Sequence, residues 1–331
     1  MKISANEDSN IPCLASHCLG PLHQLEEALL AFQSVTENWL REQWRKTPAP
    51  FYSSVDLRNA GFKLAPVDTN LFPAGFNNLN DRFISLAVQA AQETLERLLP
   101  GCLRILLIPE NHTRNSFYFE NLSTLQDILE KAGFEVRIGS LLEEMPHAKE
   151  IVLASGARIT LEPIVRVADQ IKVKDFLPCC ILLNNDLANG IPEILQGIEQ
   201  TILPNMNLGW HSRLKSNHFR HYAQVAGEFA QLLGLDPWLI TPLFSRCAEV
   251  DFMQREGEAC MMQESQQILH ATQKKYDQYH IKEKPYVVIK ADAGSYGMGV
   301  LSIHEPDEIQ QKKKKKRSDM MVSKGSRSIA E

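Results

Sequence analysis

The sequence lacks any stretch that would carry the chain into or across a membrane. Residues 1–20 contain no apolar core of the kind found in a signal peptide, and no later run reaches the ~18 apolar residues that a membrane span needs. The excess of one sign of charge over the other is also small, since the net charge is −5 over 331 residues. We therefore expect neither a membrane nor a nucleic acid as a partner.

Cysteine is sparse and follows no metal-binding pattern. The seven cysteines are odd in number and show no C-x-x-C spacing, which a zinc site or a small disulfide framework normally has. We expect reduced thiols, no zinc site and a cytoplasmic location. The cysteines are Cys13, Cys18, Cys102, Cys179, Cys180, Cys247 and Cys260.

What is present is an ordinary globular composition, with 44% hydrophobic and 23% charged residues. A chain of this length forms two domains or one large one. Strand and helix patterns alternate in the middle of the chain, which predicts a parallel α/β unit. The strand patterns are Arg104–Ile108, Glu135–Ile138 and Cys179–Leu183, and the helix pattern is Ser116–Ala132. We also predict one amphipathic helix over Pro21–Lys46, one that begins with Ser216 as its N-cap, and one over Val250–His280.

The stretch Tyr286–Val300 reads YVVIKADAGSYGMGV and predicts a strand, a glycine-rich turn and a second strand. Glycine lets backbone N–H groups approach an anion closely, and Lys290 at the strand end adds a point charge for phosphate. The order differs from a P-loop, where the lysine follows the glycines, and the spacing is not G-x-G-x-x-G. The alternative is a tight hairpin with a surface lysine.

A second informative segment, Asp56–Asn80, is predicted to be an ordered loop of ~25 residues, a length that is usually functional or disordered. Apolar side chains such as Phe62 and Phe72 argue against disorder. Its carboxylates, amides and cations suit a zwitterionic amino acid as ligand. The alternative is a polar loop that satisfies its own backbone. The candidate contacts are Asp56, Arg58, Asn59, Lys63, Asp68 and Asn70.

Polar residues follow two of the predicted strands, at Glu110–Arg114 and at Asn184–Asp186, where open α/β sheets bind ligands. We expect His112 to be an ordinary loop histidine. The remaining candidates for a metal site, His211, His218 and His221, lack the i, i+4 pairing of a helical metal face, so we expect them to be solvated.

Three segments together resemble the proteobacterial glutamate–cysteine ligase of ATP-grasp type, a family that acts in glutathione biosynthesis. They read SVDLRNAGFKLAPVDTNLFPAGFNNL, then LNNDLANG with GWHSRLKSNHFRHY, then KPYVVIKADAGSYGMGV. The resemblance covers most of Phe51–Ile303. It implies that ATP phosphorylates the γ-carboxylate of glutamate, that the cysteine amine attacks the acyl phosphate, and that Mg²⁺ neutralises the phosphates.

The resemblance also implies roles for residues. Lys290 and the glycine hairpin match the phosphate-binding element, and Lys215 matches the first nucleotide lysine, for which Lys282 or Lys284 is an alternative. The Asp56–Asn70 candidates would contact substrate. The hairpin residues are Gly294, Ser295, Tyr296, Gly297, Met298 and Gly299.

The carboxyl-terminal part departs from the family pattern, because no acidic metal-binding pattern follows Gly299. We expect the magnesium ligands beyond Glu331, a truncated chain that is inactive alone, and exposed apolar surface on the strands at Val287–Ile289 and Val300–Ile303. The predicted fold is an α/β domain over residues 1–204, a helical segment over 205–280 and an incomplete ATP-grasp domain over 281–331. Two alternatives stay open: a non-catalytic fragment that binds amino acid or nucleotide, and another ATP-grasp carboxylate–amine ligase.

Overall fold

The structure is a computed structural model that describes residues 20–111, 116–142, 145–248, 250, 255–293 and 300–310. Twelve β-strands lie in this part of the chain: β1 (Ser54–Asn59), β2 (Leu64–Asn70), β3 (Arg104–Pro109), β4 (Glu135–Ser140), β5 (Lys149–Val152), β6 (Arg158–Pro163), β7 (Val165–Val167), β8 (Gln170–Lys172), β9 (Cys180–Asn184), β10 (Thr201–Leu203), β11 (Val287–Ile289) and β12 (Leu301–Ile303).

A six-stranded sheet with the order β10-β9-β3-β4-β6-β5 forms the centre of the structure. Its strands pair in parallel, except for the antiparallel β5–β6 hairpin at one edge. The predicted parallel α/β fold is therefore confirmed. Three antiparallel pairs lie outside this sheet, namely β1–β2, β7–β8 and β11–β12.

Six α-helices lie within the same described residues: α1 (Pro21–Ala31), α2 (Gln33–Lys46), α3 (Ile84–Leu98), α4 (Ser116–Lys131), α5 (Lys215–Leu232) and α6 (Glu258–Gln278). The single helix predicted at the amino terminus is wrong, because the chain leaves helical geometry at Phe32. The prediction of Ser216 as an N-cap is wrong, because Ser216 lies in the first turn of α5. Its hydroxyl donates a hydrogen bond to Asp292 instead. No helix in this set is long and apolar enough to cross a membrane.

The two faces of the central sheet are covered by different cores. Successive side chains of a strand point to opposite faces, so Ile105 and Leu107 pack with residues of α3 and α4. Leu106 and Ile108 face the other way and pack with buried side chains such as Phe176. Burial on both faces explains why β3 reads as a continuous apolar run in the sequence.

The segment predicted as a loop over Asp56–Asn80 is largely a β-hairpin. Strands β1 and β2 pair antiparallel, with Asp56 opposite Asp68 and a β-bulge between Asp56 and Leu57. Every residue of β1 is exposed, so the strand lacks the alternation of apolar and polar side chains by which half-buried strands are recognised. The prediction of a loop is therefore wrong, although the segment is ordered, as expected.

The carboxyl-terminal hairpin packs against α6. Val287 and Ile303 face each other in the β11–β12 pair, and both are buried together with Met261 of α6. The expected apolar surface is thus largely covered, although Val288 and Val300 are exposed. The glycine turn Gly294–Gly299 lies outside the described residues.

Four cysteines are paired, which corrects the expectation of reduced thiols. Cys102 forms a disulfide with Cys179, and Cys247 forms one with Cys260. The first pair meets because its members precede β3 and β9, which are neighbours in the sheet. Cys180 is buried and unpaired. The two cysteines near the amino terminus lie outside the described residues.

Candidate functional site

Two lysines that are distant in the sequence lie close to each other in the fold. Lys290 follows β11, and its Nζ donates a hydrogen bond to the Val67 carbonyl oxygen of β2 at 3.0 Å. Lys215 begins α5, and its Nζ lies 4.4 Å from the ring centroid of Trp210. Burial lowers the pKa of Lys215, and repulsion from Lys290 lowers it further. The structure therefore brings together both lysines that the sequence analysis singled out.

Arg213 is a third cation at this place, and we call Arg213, Lys215 and Lys290 the cation cluster. Arg213 Nη1 donates to the Thr69 carbonyl oxygen at 2.9 Å, and Arg213 Nη2 donates to the Thr69 hydroxyl. Burial lowers the pKa of Arg213, while attraction to Asp68 opposes this effect. Asp68 attracts Lys215 in the same way, so one carboxylate of the β1–β2 hairpin faces several positive charges.

Asp292 fastens the start of α5 to the segment after β11. Its Oδ1 accepts the Ser216 backbone N–H and its Oδ2 accepts the Ser216 hydroxyl, both at 2.7 Å. Arg246 Nε lies 2.9 Å from Oδ2, and the Lys215 N–H donates to the Asp292 carbonyl oxygen at 2.9 Å. The Asp292 side chain is 10% exposed. These four contacts fix the spacing between Lys215 and Lys290.

Trp210 supports the cation cluster and is anchored to the central sheet. Arg213 lies over the same indole ring as Lys215, with its guanidinium carbon 4.8 Å from the centroid. The backbone N–H of Trp210 donates to the carbonyl oxygen of Asp186, just beyond β9, at 2.9 Å. At Gly209 a Cβ would lie 2.8 Å from the Cβ of Leu187, so glycine permits this close approach.

The polar residues at the carboxyl end of the sheet bond mainly to one another. Asn121 of α4 accepts the N–H groups of Gly75 and Phe76 at 2.7 and 2.9 Å and donates to Asn184 Oδ1 at 3.1 Å. The Tyr118 hydroxyl donates to the Asn184 carbonyl oxygen at 2.7 Å. This network holds the segment after β2 on the sheet. These side chains thus have partners within the described residues, at the place where the sequence pattern suggested ligand binding.

The predicted amino-acid contacts do not form one group. Only Asp68 lies in the electrostatic neighbourhood of the cation cluster. Asn59 and Asn70 accept backbone N–H groups two residues ahead of them, as the alternative reading of this segment foresaw. Asp56 and Arg58 are exposed on β1, and no hydrogen bond or ion pair within the described residues involves their side chains.

Lys63 lies in a different neighbourhood from the cation cluster. Its Nζ is 4.4 Å from the ring centroid of Trp238, and Trp238 stacks on Tyr279. Burial lowers the pKa of Lys63 to about 8, an effect that Asp236 opposes and Lys275 adds to. Lys63 thus lies against this aromatic group and apart from the cation cluster.

Sequence reasoning missed Arg213, Trp210 and Asp292 as parts of the site. A local signal existed in each case, since Arg213 precedes Lys215 by two residues and Asp292 follows Lys290 by two. These residues belong to the site because they contact segments that are distant in the sequence. A sequence pattern does not show such contacts. No group of three or more possible metal ligands occurs among the residues whose structure is described.

The fold and this cluster define the chain as an α/β protein with a cationic site between its β1–β2 hairpin, α5 and β11. The family model described as glutamate-cysteine ligase (GshA) matches residues 26–331, so the chain belongs to that family. A crystal structure from Methylobacillus flagellatus KT, described as a candidate gamma-glutamylcysteine synthetase, is similar with a TM-score of 0.89 and 47% identity. The match covers 95% of this chain and 74% of that chain. No curated protein matches.

Proposed function

We propose that this chain takes part in ATP-dependent ligation of glutamate to cysteine, with the cation cluster binding the ATP phosphates. The observation that carries the proposal is the meeting of Lys215 and Lys290 beside Arg213. Burial and mutual repulsion lower the pKa of Lys215. A polyphosphate would relieve that repulsion and accept charge-assisted hydrogen bonds from the two lysines, with the positive charge of Arg213 beside them.

The reaction we propose has two steps. A γ-carboxylate oxygen of glutamate attacks the γ-phosphorus of ATP, and the bond to the bridging oxygen breaks so that ADP leaves. The cysteine nitrogen then attacks the acyl carbon, phosphate leaves with the bonding electrons, and the nitrogen loses a proton. The cation cluster would stabilise the charge on the transferred phosphoryl group, which supplies much of the rate in such reactions. Membership of the glutamate-cysteine ligase family supports these substrates.

The described residues do not fit a complete magnesium site. Asp292 uses both carboxylate oxygens on Ser216 and Arg246, and Asp68 Oδ1 accepts the Thr69 N–H at 2.9 Å. Mg²⁺ needs oxygen ligands in near-octahedral geometry. We therefore assign no step to a metal held by these residues. The expectation of ligands beyond Glu331 stays a prediction, as do the ATP-grasp assignment and the three domain boundaries.

The test is to supply the purified protein with ATP, Mg²⁺, glutamate and cysteine, and to measure ADP together with the mass of the product. If residues 1–331 carry out the proposed reaction, ADP release depends on glutamate, and γ-glutamylcysteine forms only when cysteine is added. Ligation of a different pair would show that the substrates are wrong. Binding of ATP and glutamate without any ADP release would favour the non-catalytic alternative, and the same assay tests the expectation that residues 1–331 are inactive alone.

We also propose a cytoplasmic location, which the scattered cysteines indicated in the sequence. A cytoplasmic location predicts reduced thiols, because cytoplasmic thiols are normally kept reduced. The structure instead pairs Cys102 with Cys179. Mass spectrometry after rapid alkylation of cells tests this directly. Alkylated Cys102 and Cys179 would support the location, whereas a disulfide between them would contradict it.

A further inference from the structure

A cavity of about 430 Å³ lies between the β1–β2 hairpin and the start of α5. This size is within the range of small-molecule sites, about 300–1,000 Å³. Val55 and Leu71 contribute apolar wall from the hairpin side, and Leu208 and Leu214 contribute it from the other side. A small ligand with an apolar part and a polar end would match this lining.

The charged side chains that line this cavity are all basic, although the carboxylate of Asp68, outside the lining, acts on Arg213 and His218. Arg213, His218 and His221 line it, and none of its lining residues is an aspartate or a glutamate. Arg213 uses two of the five N–H donors of a guanidinium on Thr69. The cavity is therefore suited to an anionic group, such as a carboxylate, and not to a cation.

His218 offers a donor or acceptor atom for which the protein supplies no partner. The expectation of a solvated His218 is wrong, because its Nε2 is buried and forms no hydrogen bond within the described residues. The ring is held in place by Tyr222, which stacks on it at 6.3 Å, and by the edge of Phe219 at 5.2 Å. A buried polar atom without a partner is unfavourable and in native structures requires an explanation. His218 also lines the cavity, so a ligand bound there that reaches Nε2 would supply the missing partner.

We propose that this cavity binds the α-carboxylate of an amino-acid substrate, with His218 Nε2 and the Arg213 guanidinium as hydrogen-bond donors. The proposal rests on the proposed function and extends it from the phosphates to the amino acid. Leu214 lines the cavity and lies between Arg213 and Lys215 in the sequence. The carboxylate site and the cation cluster thus share the start of α5, which would hold substrate and nucleotide next to each other.

The experiment is calorimetric titration of the full chain with glutamate and with cysteine, which both carry an α-carboxylate. Isoglutamine, which has an α-amide, and cysteamine, which has no carboxyl group, are the matched ligands. His218→Phe keeps an aromatic ring but removes both ring nitrogens, whereas His218→Gln keeps an N–H donor. His270→Gln, at an exposed position of α6, is the control variant.

We expect one of the two amino acids to bind, and its matched ligand without the carboxylate to bind at least ten-fold more weakly. His218→Phe should weaken binding of that amino acid by about ten- to a hundred-fold, the loss typical of a hydrogen bond to a charged group. His218→Gln should restore part of the affinity, and His270→Gln should have no effect. An ATP analogue should bind all of these variants equally well.

Unchanged amino-acid affinity in His218→Phe would overturn the proposal while leaving the proposed function standing. Failure of both amino acids to bind the wild type, or displacement of the bound amino acid by an ATP analogue, would overturn it as well. Failure of the proposed function would appear elsewhere, as absence of ADP release and of ATP binding.

Discussion

Replacing Asp292 with asparagine tests whether one carboxylate sets the spacing of the two lysines. Asparagine keeps an oxygen that can accept the Ser216 N–H. In the wild type, Oδ2 accepts the Ser216 hydroxyl and contacts Arg246 Nε. In the variant, the NH₂ group of asparagine takes the place of Oδ2. The Ser216 hydroxyl can rotate and accept instead, but Arg246 Nε then meets another donor. The substitution therefore removes one charge-assisted contact and leaves the others largely in place.

The size of the effect follows from that single contact. A hydrogen bond to a charged group contributes about 1.5–3 kcal/mol. The Arg246 side chain is 38% exposed, so water replaces part of the lost partner and the lower end applies. We expect a loss of about 1.5 kcal/mol in the free energy that holds α5 to the β11 segment, which corresponds to roughly a ten-fold change in an equilibrium constant.

Two measurements read this out in Asp292→Asn. Hydrogen exchange followed by mass spectrometry should show faster exchange of the Lys215 and Ser216 amides, and titration should show ATP-analogue binding about ten-fold weaker. Asp169→Asn, at an exposed position between β7 and β8, is the control and should change neither quantity. Exchange and affinity at wild-type values in Asp292→Asn would refute the idea that this carboxylate sets the lysine spacing.

Three further substitutions test other parts of the account by urea unfolding. Folding shifts the pKa of Lys63 down to about 8, so the free energy of unfolding should rise with pH between about 8 and 10.5. Lys63→Met should abolish that rise and be more stable than wild type at pH 7; an unchanged pH slope would contradict this. Asn121→Ala, at a position 1% exposed, should lose about 3 kcal/mol or more because several partners stay buried and unpaired, and a loss below about 1 kcal/mol would count against the network. Gly209→Ala should lose about 1–3 kcal/mol through its contact with Leu187, and wild-type stability would contradict that close approach.

The central sheet was predictable because its strands are buried on both faces. The apolar segments Arg104–Ile108 and Cys179–Leu183 stand out in the sequence, and helices between strands fix their parallel direction. Strand β1 was not predictable in the same way, since all of its side chains are exposed. Sequence patterns report burial, so an exposed strand held by backbone pairing to β2 escapes them.

The site was predictable only where its signal is local. Lys290 stands within one short motif, and the family resemblance picked out Lys215. The bonds from Asp292 to Ser216, and from Arg213 to Thr69, join segments far apart in the chain and arise only from the fold. Cys102 and Cys179 show the same limit, because their pairing depends on which strands are neighbours in the sheet.

The most direct test of the central claim compares the affinity of an ATP analogue for wild type, Lys215→Met and Lys290→Met. Lys282→Met and Lys284→Met are matched controls, since they lie in the same region and are exposed. If the cation cluster binds the phosphates, each of the first two variants should bind about ten- to a hundred-fold more weakly, and the controls should bind as wild type does. Wild-type affinity in Lys215→Met or Lys290→Met would contradict the claim.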